Sequence, residues 1–175
     1  MTPPTLVLRD FIREIPDFPK PGIAFKDITP LLAHADAFRA SIEHLAGRFA
    51  GSRIDAIAAA EARGFLFAAP LALMMRVGLV PIRKPGKLPC KTVGAEYALE
   101  YGTDRLEMHS DAMEPGRRIL LVDDVLATGG TMKACCDLVR QTGAEVVACA
   151  FLIELAFLGG RQRLDPCEVF SLVPY

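Results

Sequence analysis

Residues 118–132, RILLVDDVLATGGTM, decide the fold. The run over residues 118–122 is mainly apolar and does not alternate with polar residues, which predicts a strand buried in a parallel sheet. Two adjacent carboxylates, Asp123 and Asp124, follow this run directly. A loop of small residues then leads into a helical pattern over residues 130–141. The stretch therefore predicts strand, loop and helix, with two carboxylates at the carboxyl end of the strand.

The loop of this unit suits a phosphate group. Backbone N–H groups at the start of a helix point at an anion, and the helix dipole favours its negative charge. Gly129 and Gly130 let the backbone approach the anion, while Thr128 and Thr131 add hydroxyl donors. Hydrogen bonds to a charged group contribute about 1.5 to 3 kcal/mol each. The chain has neither G-x-x-x-x-G-K-[ST] nor G-x-G-x-x-G, which argues against a P-loop nucleotidase and a dinucleotide-binding fold.

The flanking sequence repeats the order strand, helix, strand. An amphipathic helix opens near Asp36, and a further strand follows the central helix at residues 145–153. The other predicted elements are a strand at residues 54–60, a helix at 65–76 and a strand at 77–82. Apolar strands separated by helices predict an α/β fold, with a parallel sheet covered on both faces.

Residues 84–109 interrupt this order. Prolines and glycines break regular structure at its start, and apolar residues then alternate with polar ones on both sides of residues 102–104. This pattern predicts a β-hairpin, well placed to be a lid over a ligand crevice. Residues 16–22 contain three prolines and a glycine, so an ordered loop is expected there.

Length and charge narrow the class of protein. The 175 residues, of which 51% are hydrophobic, predict one globular domain. Twenty Lys and Arg against 21 Asp and Glu give a formal net charge of −1, so no overall positive field favours nucleic acid. The amino-terminal sequence is unlike a signal peptide, and Pro70 interrupts the longest apolar stretch. We expect neither secretion nor a membrane span.

The cysteines and histidines show no metal-binding spacing. The five cysteines, at positions 90, 135, 136, 149 and 167, lack the paired C-x₂-C spacing of zinc sites and are expected to be free thiols in a reducing cytoplasm. Cys135 and Cys136 repeat with Met132 and Val139 at helical spacing, which favours core packing over redox chemistry. The three histidines are expected at the surface.

The strand, Asp-Asp pair and Ala-Thr-Gly-Gly-Thr loop resemble the 5-phospho-α-D-ribose 1-diphosphate (PRPP) motif of type I phosphoribosyltransferases. Further segments are similar to adenine phosphoribosyltransferases: FPKPGI at 18–23, FKDITP at 25–30, EARGF at 61–65, RKPGKLP at 83–89, LEYG at 99–102 and FSLV at 170–173. The resemblance covers nearly the whole chain in order. Cys90 departs from it, because the family usually has glycine there, and Lys91 and residues 93–95 follow a variable pattern.

This resemblance implies a fold and an activity. The fold is a central, mostly parallel sheet flanked by helices, in a single domain over residues 1–175 with a small hood at about 1–33 and a lid insertion at about 84–109. The reaction joins adenine to PRPP and gives AMP and pyrophosphate, with Mg²⁺ bound mainly through PRPP and pyrophosphate and not by protein side chains. The resemblance also implies a cytoplasmic homodimer. The alternatives are a PRPP-sensing regulatory module of the same fold, or a 6-oxopurine phosphoribosyltransferase.

The resemblance also assigns PRPP-binding roles. The 5′-phosphate would be held by Ala127, Thr128, Gly129, Gly130 and Thr131. Asp123 and Asp124 would accept hydrogen bonds from the ribose hydroxyls, and Tyr101 would close over the sugar. Arg63 and Lys87 would bind pyrophosphate, with Lys84 a weaker candidate or a solvated loop charge. A non-proline cis peptide between Glu61 and Ala62 is implied.

Other residues would serve the base. Glu100 would be the acid or base near purine N7 or N9. Phe25 would stack on adenine, with Ile23, Lys26 and Leu155 supplying other contacts, partly through backbone groups. A purine needs a flat apolar slot with donors or acceptors at its edge, which is the environment these residue types can provide.

Overall fold

A computed structural model describes residues 6–98 and 103–175. Its strands are β1 (Arg13–Ile15), β2 (Phe25–Asp27), β3 (Ala56–Ala60), β4 (Gly78–Ile82), β5 (Thr92–Ala98), β6 (Thr103–His109), β7 (Arg118–Leu126), β8 (Glu145–Glu154) and β9 (Glu168–Pro174). Its helices are α1 (Thr29–Ala33), α2 (Ala35–Phe49), α3 (Gly64–Met75), α4 (Gly130–Gln141) and α5 (Gly160–Arg163), with 3₁₀ turns at Leu8–Phe11 and Ala156–Leu158.

A parallel sheet lies at the centre. Its five strands run in the order β4-β3-β7-β8-β9, and every neighbouring pair in it is parallel. The parallel sheet predicted from the apolar runs is confirmed. Because β3 and β7 are neighbours, the loops that follow them lie side by side at the carboxyl edge of the sheet.

Helices and the hairpin β5–β6 cover the two faces of the sheet. On one face, Leu120 and Val122 of β7 pack in the same core as Phe67 of α3. On the other face, Leu121 packs in the core that contains Cys135 of α4. Successive strand residues point to opposite faces, so β7 contributes to both cores. The predicted amphipathic helix near Asp36 and the helix over residues 130–141 are confirmed as α2 and α4.

Strand β7 is longer than predicted. The expectation that the strand ends at Val122 is wrong, because backbone pairing with β8 continues as Asp123↔Phe151 and Val125↔Ile153. The apolar pattern stops at the carboxylates because they reach the edge of the sheet, where a cleft opens. The two carboxylates therefore lie within a strand and not in the loop after it.

Smaller elements flank the sheet at the predicted hood and lid. Strands β1 and β2 form an antiparallel pair, and the Asp27 carboxylate accepts hydrogen bonds from Arg13 Nη2 at 2.6 Å and from the Thr29 amide at 2.9 Å. The hairpin β5–β6 confirms the predicted alternation, since Leu106 and Met108 are buried. Residues 99–102 at its tip lie outside the described residues.

The cysteines lie as predicted, and His34 and His44 are at the surface as expected, whereas His109 is half-buried. Cys135 and Cys136 are buried in the core, as predicted, and all five cysteines are free. His34 is exposed and its Nδ1 accepts a hydrogen bond from the Ala37 amide at 3.2 Å, which caps α2. Within residues 6–98 and 103–175, no helix has both the length and the apolarity that crossing a membrane requires.

Candidate active site

A cleft of about 510 Å³ opens at the carboxyl edge of the central sheet. Four separate segments line it: residues 23–26, residues 61–63, residues 123–132 and Leu155. The last three follow or end β3, β7 and β8, whose carboxyl ends meet at this edge. Parallel α/β folds place ligand sites at this position.

Most residues implicated by the sequence lie in this cleft. They are Ile23, Phe25, Lys26, Arg63, Asp123, Asp124, Ala127, Thr128, Gly129, Gly130, Thr131 and Leu155. Lys87 does not line it, because it lies exposed on the loop between β4 and β5. Glu100 and Tyr101 lie outside the described residues.

The loop after β7 depends on two glycines. Gly129 has φ +81°, and a Cβ added to it would lie 2.6 Å from the carbonyl oxygen of Gly160. A Cβ on Gly160 would lie 2.1 Å from the Ala127 carbonyl oxygen. Side chains at either position would push the loop away from residues 159–160, so both glycines fix the path of the backbone. The loop opens directly into α4, whose first residues, Gly130 to Met132, line the cleft. The first amides of a helix have no partner within the helix and are free to bind an anion.

The two carboxylates of β7 have different surroundings. Asp124 is buried, and its Oδ2 accepts a hydrogen bond from Arg63 Nε at 2.5 Å. Asp123 Oδ1 accepts a hydrogen bond from the Asp124 amide at 2.9 Å. Burial, and then the neighbouring charge of Asp124, raise the pKa of Asp123 well above its ordinary value. The cleft thus holds one carboxylate paired with a cation and one that binds a proton more readily.

The segment after β3 connects the cleft to the base of the hairpin. The peptide between Glu61 and Ala62 is cis, as the resemblance implied. Glu61 accepts hydrogen bonds from Arg83 Nη2 at 2.7 Å and from the Lys84 amide at 2.6 Å. Although burial raises the pKa of Glu61, these hydrogen bonds outweigh burial and lower it. Arg63 is half-exposed and its side chain lines the cleft.

Lys84 is not a solvated loop charge. Its ammonium pairs with Asp104 and donates a hydrogen bond to Tyr97 Oη at 3.1 Å. These partners raise the pKa of Lys84 despite the opposing effect of burial. Lys84 therefore fastens the start of the lid segment to β5 and β6, and it does not line the cleft.

The apolar side of the cleft comes from the hood. The Phe25 ring contacts the Phe18 ring edge to face, with centroids 5.2 Å apart, and the Arg63 guanidinium lies 5.9 Å from the Phe25 centroid. The Lys26 ammonium pairs with Glu14 and lies 4.2 Å from the centre of the Tyr175 ring. Lys26 therefore offers its backbone, and not its cation, to a ligand in the cleft.

The sequence of this chain is similar to those of known enzymes over almost its whole length. Residues 27–172 match the family model described as "Phosphoribosyl transferase domain". An adenine phosphoribosyltransferase of a Roseiflexus species is 57% identical over 98% of this chain and 99% of its own length. One of Chloroflexus aurantiacus is 56% identical over 96% of this chain and 97% of its own length.

The chain belongs to the adenine phosphoribosyltransferase family.

Solved structures agree with this assignment. The adenine phosphoribosyltransferase of Thermoanaerobacter pseudethanolicus superposes with a TM-score of 0.94 at 56% identity and covers 96% of this chain and 98% of its own. The enzyme of Saccharomyces cerevisiae superposes with a TM-score of 0.89 at 40% identity and covers 94% of this chain and 95% of its own. That structure is a complex with D-2,5-dideoxy-2,5-imino-altritol 1,6-bisphosphate and adenine. The expected type I phosphoribosyltransferase fold is confirmed.

Within this family fold, the cleft also contains residues that sequence reasoning did not single out. They are Ala24, Glu61, Ala62, Val125, Leu126 and Met132. Val125 lies two residues after Asp123 on the same strand, and alternation along β7 would have placed both on one side. That signal was hidden because the strand was expected to end at Val122. Glu61 and Ala62 were named only for their motif and for the cis peptide between them. The contacts of Glu61 to Arg83 and Lys84 arise at the base of the hairpin and could not be predicted from the motif.

Proposed function

We propose that this chain transfers the phosphoribosyl group of PRPP to adenine, giving AMP and pyrophosphate. One observation supports this most: a glycine loop at a helix start, two carboxylates and an arginine line a single cleft beside an aromatic ring. The names of the relatives point to the same chemistry, and adenine itself is present in the complex of the yeast relative.

In this proposal the loop after β7 holds the 5′-phosphate. The amides of residues 127–131 and the hydroxyls of Thr128 and Thr131 donate to the phosphate oxygens, and α4 adds the positive end of its dipole. Asp123 and Asp124 accept hydrogen bonds from the ribose hydroxyls. They lie in β7 just before this loop, and the ribose is joined directly to the 5′-phosphate that the loop would hold.

The reaction breaks the bond between the anomeric carbon and pyrophosphate and forms a bond to adenine N9. The transition state resembles an oxocarbenium ion, so the sugar becomes positive while pyrophosphate gains negative charge. The carboxylates of β7 stabilise the sugar, and Arg63 stabilises the leaving group. Lys87 joins Arg63 when the lid segment moves toward the cleft. Glu100 takes the proton that adenine N9 loses.

We propose that Mg²⁺ enters with PRPP. Magnesium prefers oxygen ligands and usually binds through one or two carboxylates plus substrate phosphates. Asp123 and Asp124 are the carboxylates of β7 in the cleft, and Asp124 is already paired with Arg63. Among residues 6–98 and 103–175, no group of three candidate ligands gathers in the cleft. The ion would neutralise charge on the departing pyrophosphate.

Phe25 forms the stacking face for adenine in this proposal. Its half-buried ring is held by Phe18 and lies in the cleft with Ile23 and Leu155. Stacking of a base on an aromatic side chain contributes about 1 to 3 kcal/mol. Backbone groups of residues 23–26 are left to recognise the edge of the base.

We also propose that the chain acts as one domain, with a hood at about 1–33 and a lid at about 84–109, in a cytoplasmic homodimer. Exposed apolar side chains on α3 support the dimer, since Leu73 is 82% and Met74 46% exposed. Five free cysteines fit a reducing compartment.

The decisive experiment measures AMP formed from adenine and PRPP, with and without Mg²⁺. We expect AMP only with Mg²⁺, and far slower reaction with hypoxanthine or guanine. PRPP binding without AMP formation would instead support the regulatory module, and preference for hypoxanthine would support the 6-oxopurine enzyme.

Glu100→Ala tests the proton-transfer role in the same assay. We expect kcat to fall by about 100-fold or more with little change in either KM, because a proton-transfer group acts mainly in the transition state. Glu96→Ala is the matched control, because Glu96 is an exposed glutamate of β5. Equal kcat values for the two variants would remove Glu100 from catalysis.

A further inference from the structure

Three cysteines meet on the side of the sheet that α4 covers. Cys136 belongs to α4, Cys149 to β8, and Cys167 immediately precedes β9. Their three sulfur atoms lie within 4.8 Å of one another. Cys136 and Cys149 are fully buried, Cys167 is partly exposed, and none of the three lines the active-site cleft.

We propose that Cys136, Cys149 and Cys167 form a binding site for one thiophilic divalent cation of the Zn²⁺ class. The spacing fits such an ion. Zinc–sulfur bonds of about 2.3 Å in tetrahedral geometry place two sulfur ligands about 3.8 Å apart. The sulfur atoms of Cys136 and Cys149 are 3.7 Å apart. The third sulfur, within 4.8 Å, has to close by about 1 Å at most to complete the set.

The charge around the three sulfurs also fits a divalent ion. Metal binding deprotonates coordinating thiols, so three thiolates and a divalent cation carry a net charge of −1. The Arg140 Nη2 atom lies 2.9 Å from the sulfur of Cys167 and brings a positive charge to it, and Arg140 Nη1 also lies 3.8 Å from the Asp137 carboxylate. A monovalent ion such as Cu⁺ would leave a net charge of −2, which a single guanidinium does not balance. A buried charge without a partner is costly.

The site has a route for the ion. Cys167 and the Arg140 side chain, which is 42% exposed, lie toward solvent, while the other two thiols form the inner end. Among residues 6–98 and 103–175, these three cysteines are the only group of three or more candidate ligands. Zinc with three protein ligands takes water in its fourth position, and Cys167 is the one of the three cysteines that is partly exposed to solvent.

The chemistry separates this site from the nucleotide cleft. Thiolates select soft or borderline metals, whereas Mg²⁺ takes oxygen ligands. The cysteines are far apart in sequence and therefore show no local zinc motif; the sheet and α4 bring them together. An ion here would join α4, whose first turn faces the phosphate loop, to β8 and the start of β9.

Cd²⁺ titration of the whole protein tests the proposal, in the presence of a phosphine reductant that keeps the thiols reduced. The readout is the ultraviolet charge-transfer band of cadmium bound to thiolates. We expect saturation at one Cd²⁺ per chain, displacement of Cd²⁺ by Zn²⁺, and no effect of excess Mg²⁺. Absence of the band, or binding of Cu⁺ alone, would overturn the proposal.

Variants locate the site. Cys167→Ser should abolish the stoichiometric band, and Cys90→Ser, which alters an exposed cysteine outside the cluster, should leave it unchanged. Arg140→Gln should weaken Cd²⁺ binding by about 10- to 100-fold, as loss of an outer partner does at metal sites. Circular dichroism and AMP formation verify folding of each variant. A band that survives in Cys167→Ser, or disappears in Cys90→Ser, would assign the metal to other ligands.

Discussion

At the scale of single residues, Gly129 and Gly116 share a backbone conformation but not their surroundings. Their φ angles are +81° and +78°. A Cβ on Gly129 would meet the Gly160 carbonyl oxygen at 2.6 Å, whereas a Cβ on Gly116 would meet nothing within 4 Å. An alanine at either position destabilises the folded state by about 1 to 2 kcal/mol, because its Cβ disfavours left-handed backbone. Only Gly129→Ala also displaces the loop proposed to hold the phosphate.

We therefore expect Gly129→Ala to raise the KM for PRPP at least about tenfold, equivalent to about 1.4 kcal/mol. Gly116→Ala should lower the free energy of unfolding while leaving PRPP kinetics near wild type. Steady-state kinetics and urea denaturation of the two variants provide the comparison. If both variants lose PRPP affinity equally, backbone strain and not close approach explains the loss.

The pair formed by Asp124 and Arg63 gives a second prediction at this scale. Asp124→Asn preserves the shape of the side chain but removes the charge that Arg63 faces and the acceptor proposed for a ribose hydroxyl. We expect a higher KM for PRPP and an unchanged circular dichroism spectrum. Asp137→Asn serves as the control, because Asp137 is a partly exposed carboxylate of α4 that pairs with Lys133 and Arg140 and does not line the cleft. Unfolding of Asp124→Asn, or unchanged PRPP kinetics, would contradict the ribose assignment.

At the scale of elements, the end of β8 contains a buried carboxylate with several donors. Glu154 accepts hydrogen bonds from Arg161 Nη2 at 2.6 Å and from Ser171 Oγ at 2.5 Å. The Arg161 hydrogen bond, followed by that of Ser171, lowers the pKa of Glu154 against the opposing effect of burial. This network joins β8 to β9 and to α5, directly beside Leu155 in the cleft.

Because the pKa of Glu154 is lower in the folded state than in the unfolded chain, the ionised carboxylate stabilises the fold at pH values above the unfolded-state pKa. That contribution disappears as the pH falls through the folded pKa, from about pH 4.5 downward. We expect Glu154→Gln to lower Tm at pH 7 and to flatten the acid side of the Tm profile. Glu168→Gln alters an exposed pair with Arg48 and should change Tm little. If Tm falls equally with decreasing pH in wild type and in Glu154→Gln, protonation of Glu154 does not contribute to the acid sensitivity of the fold.

Elements with strong periodicity could be predicted from the sequence, and elements defined by partners could not. The spacing of apolar residues located α2 and α4, and the apolar run located the start of β7. The end of β7 was missed because charged residues can occupy the last positions of a strand when they face a cleft. The three-residue strands β1 and β2 were also missed, because their pairing carries no sequence period of its own.

At the scale of the whole molecule, the candidate site depends on which strands are neighbours. Arg63 and Asp124 are far apart in sequence, and they meet because β3 lies next to β7. The family resemblance assigned both residues to one ligand without predicting their direct ion pair. The sequence likewise does not predict the cysteine cluster, because its members come from α4, β8 and the turn before β9. Sequence spacing predicts contacts within an element but not those that strand order creates.

The two proposed substrate sites belong to different parts of the molecule, the hood and the loop after β7. A ligand at 100 times its dissociation constant stabilises the folded state by about 2.7 kcal/mol, which shifts Tm by about 5 to 10 °C in a chain of this size. We expect PRPP with Mg²⁺ to produce this shift in wild type and in Phe25→Ala. In Gly129→Ala a tenfold loss of affinity would leave about 1.4 kcal/mol, so the shift should fall to about half or less.

Phe25→Ala should nevertheless raise the KM for adenine about tenfold or more, because it removes a stacking face worth about 1 to 3 kcal/mol. Thermal unfolding with PRPP alone, followed by kinetics with varied adenine, measures the two sites separately. If Phe25→Ala loses as much of the PRPP-induced Tm shift as Gly129→Ala does, the hood is needed to form the phosphate site. The ring would then act through its packing on Phe18, and the purine slot would have to lie elsewhere in the cleft.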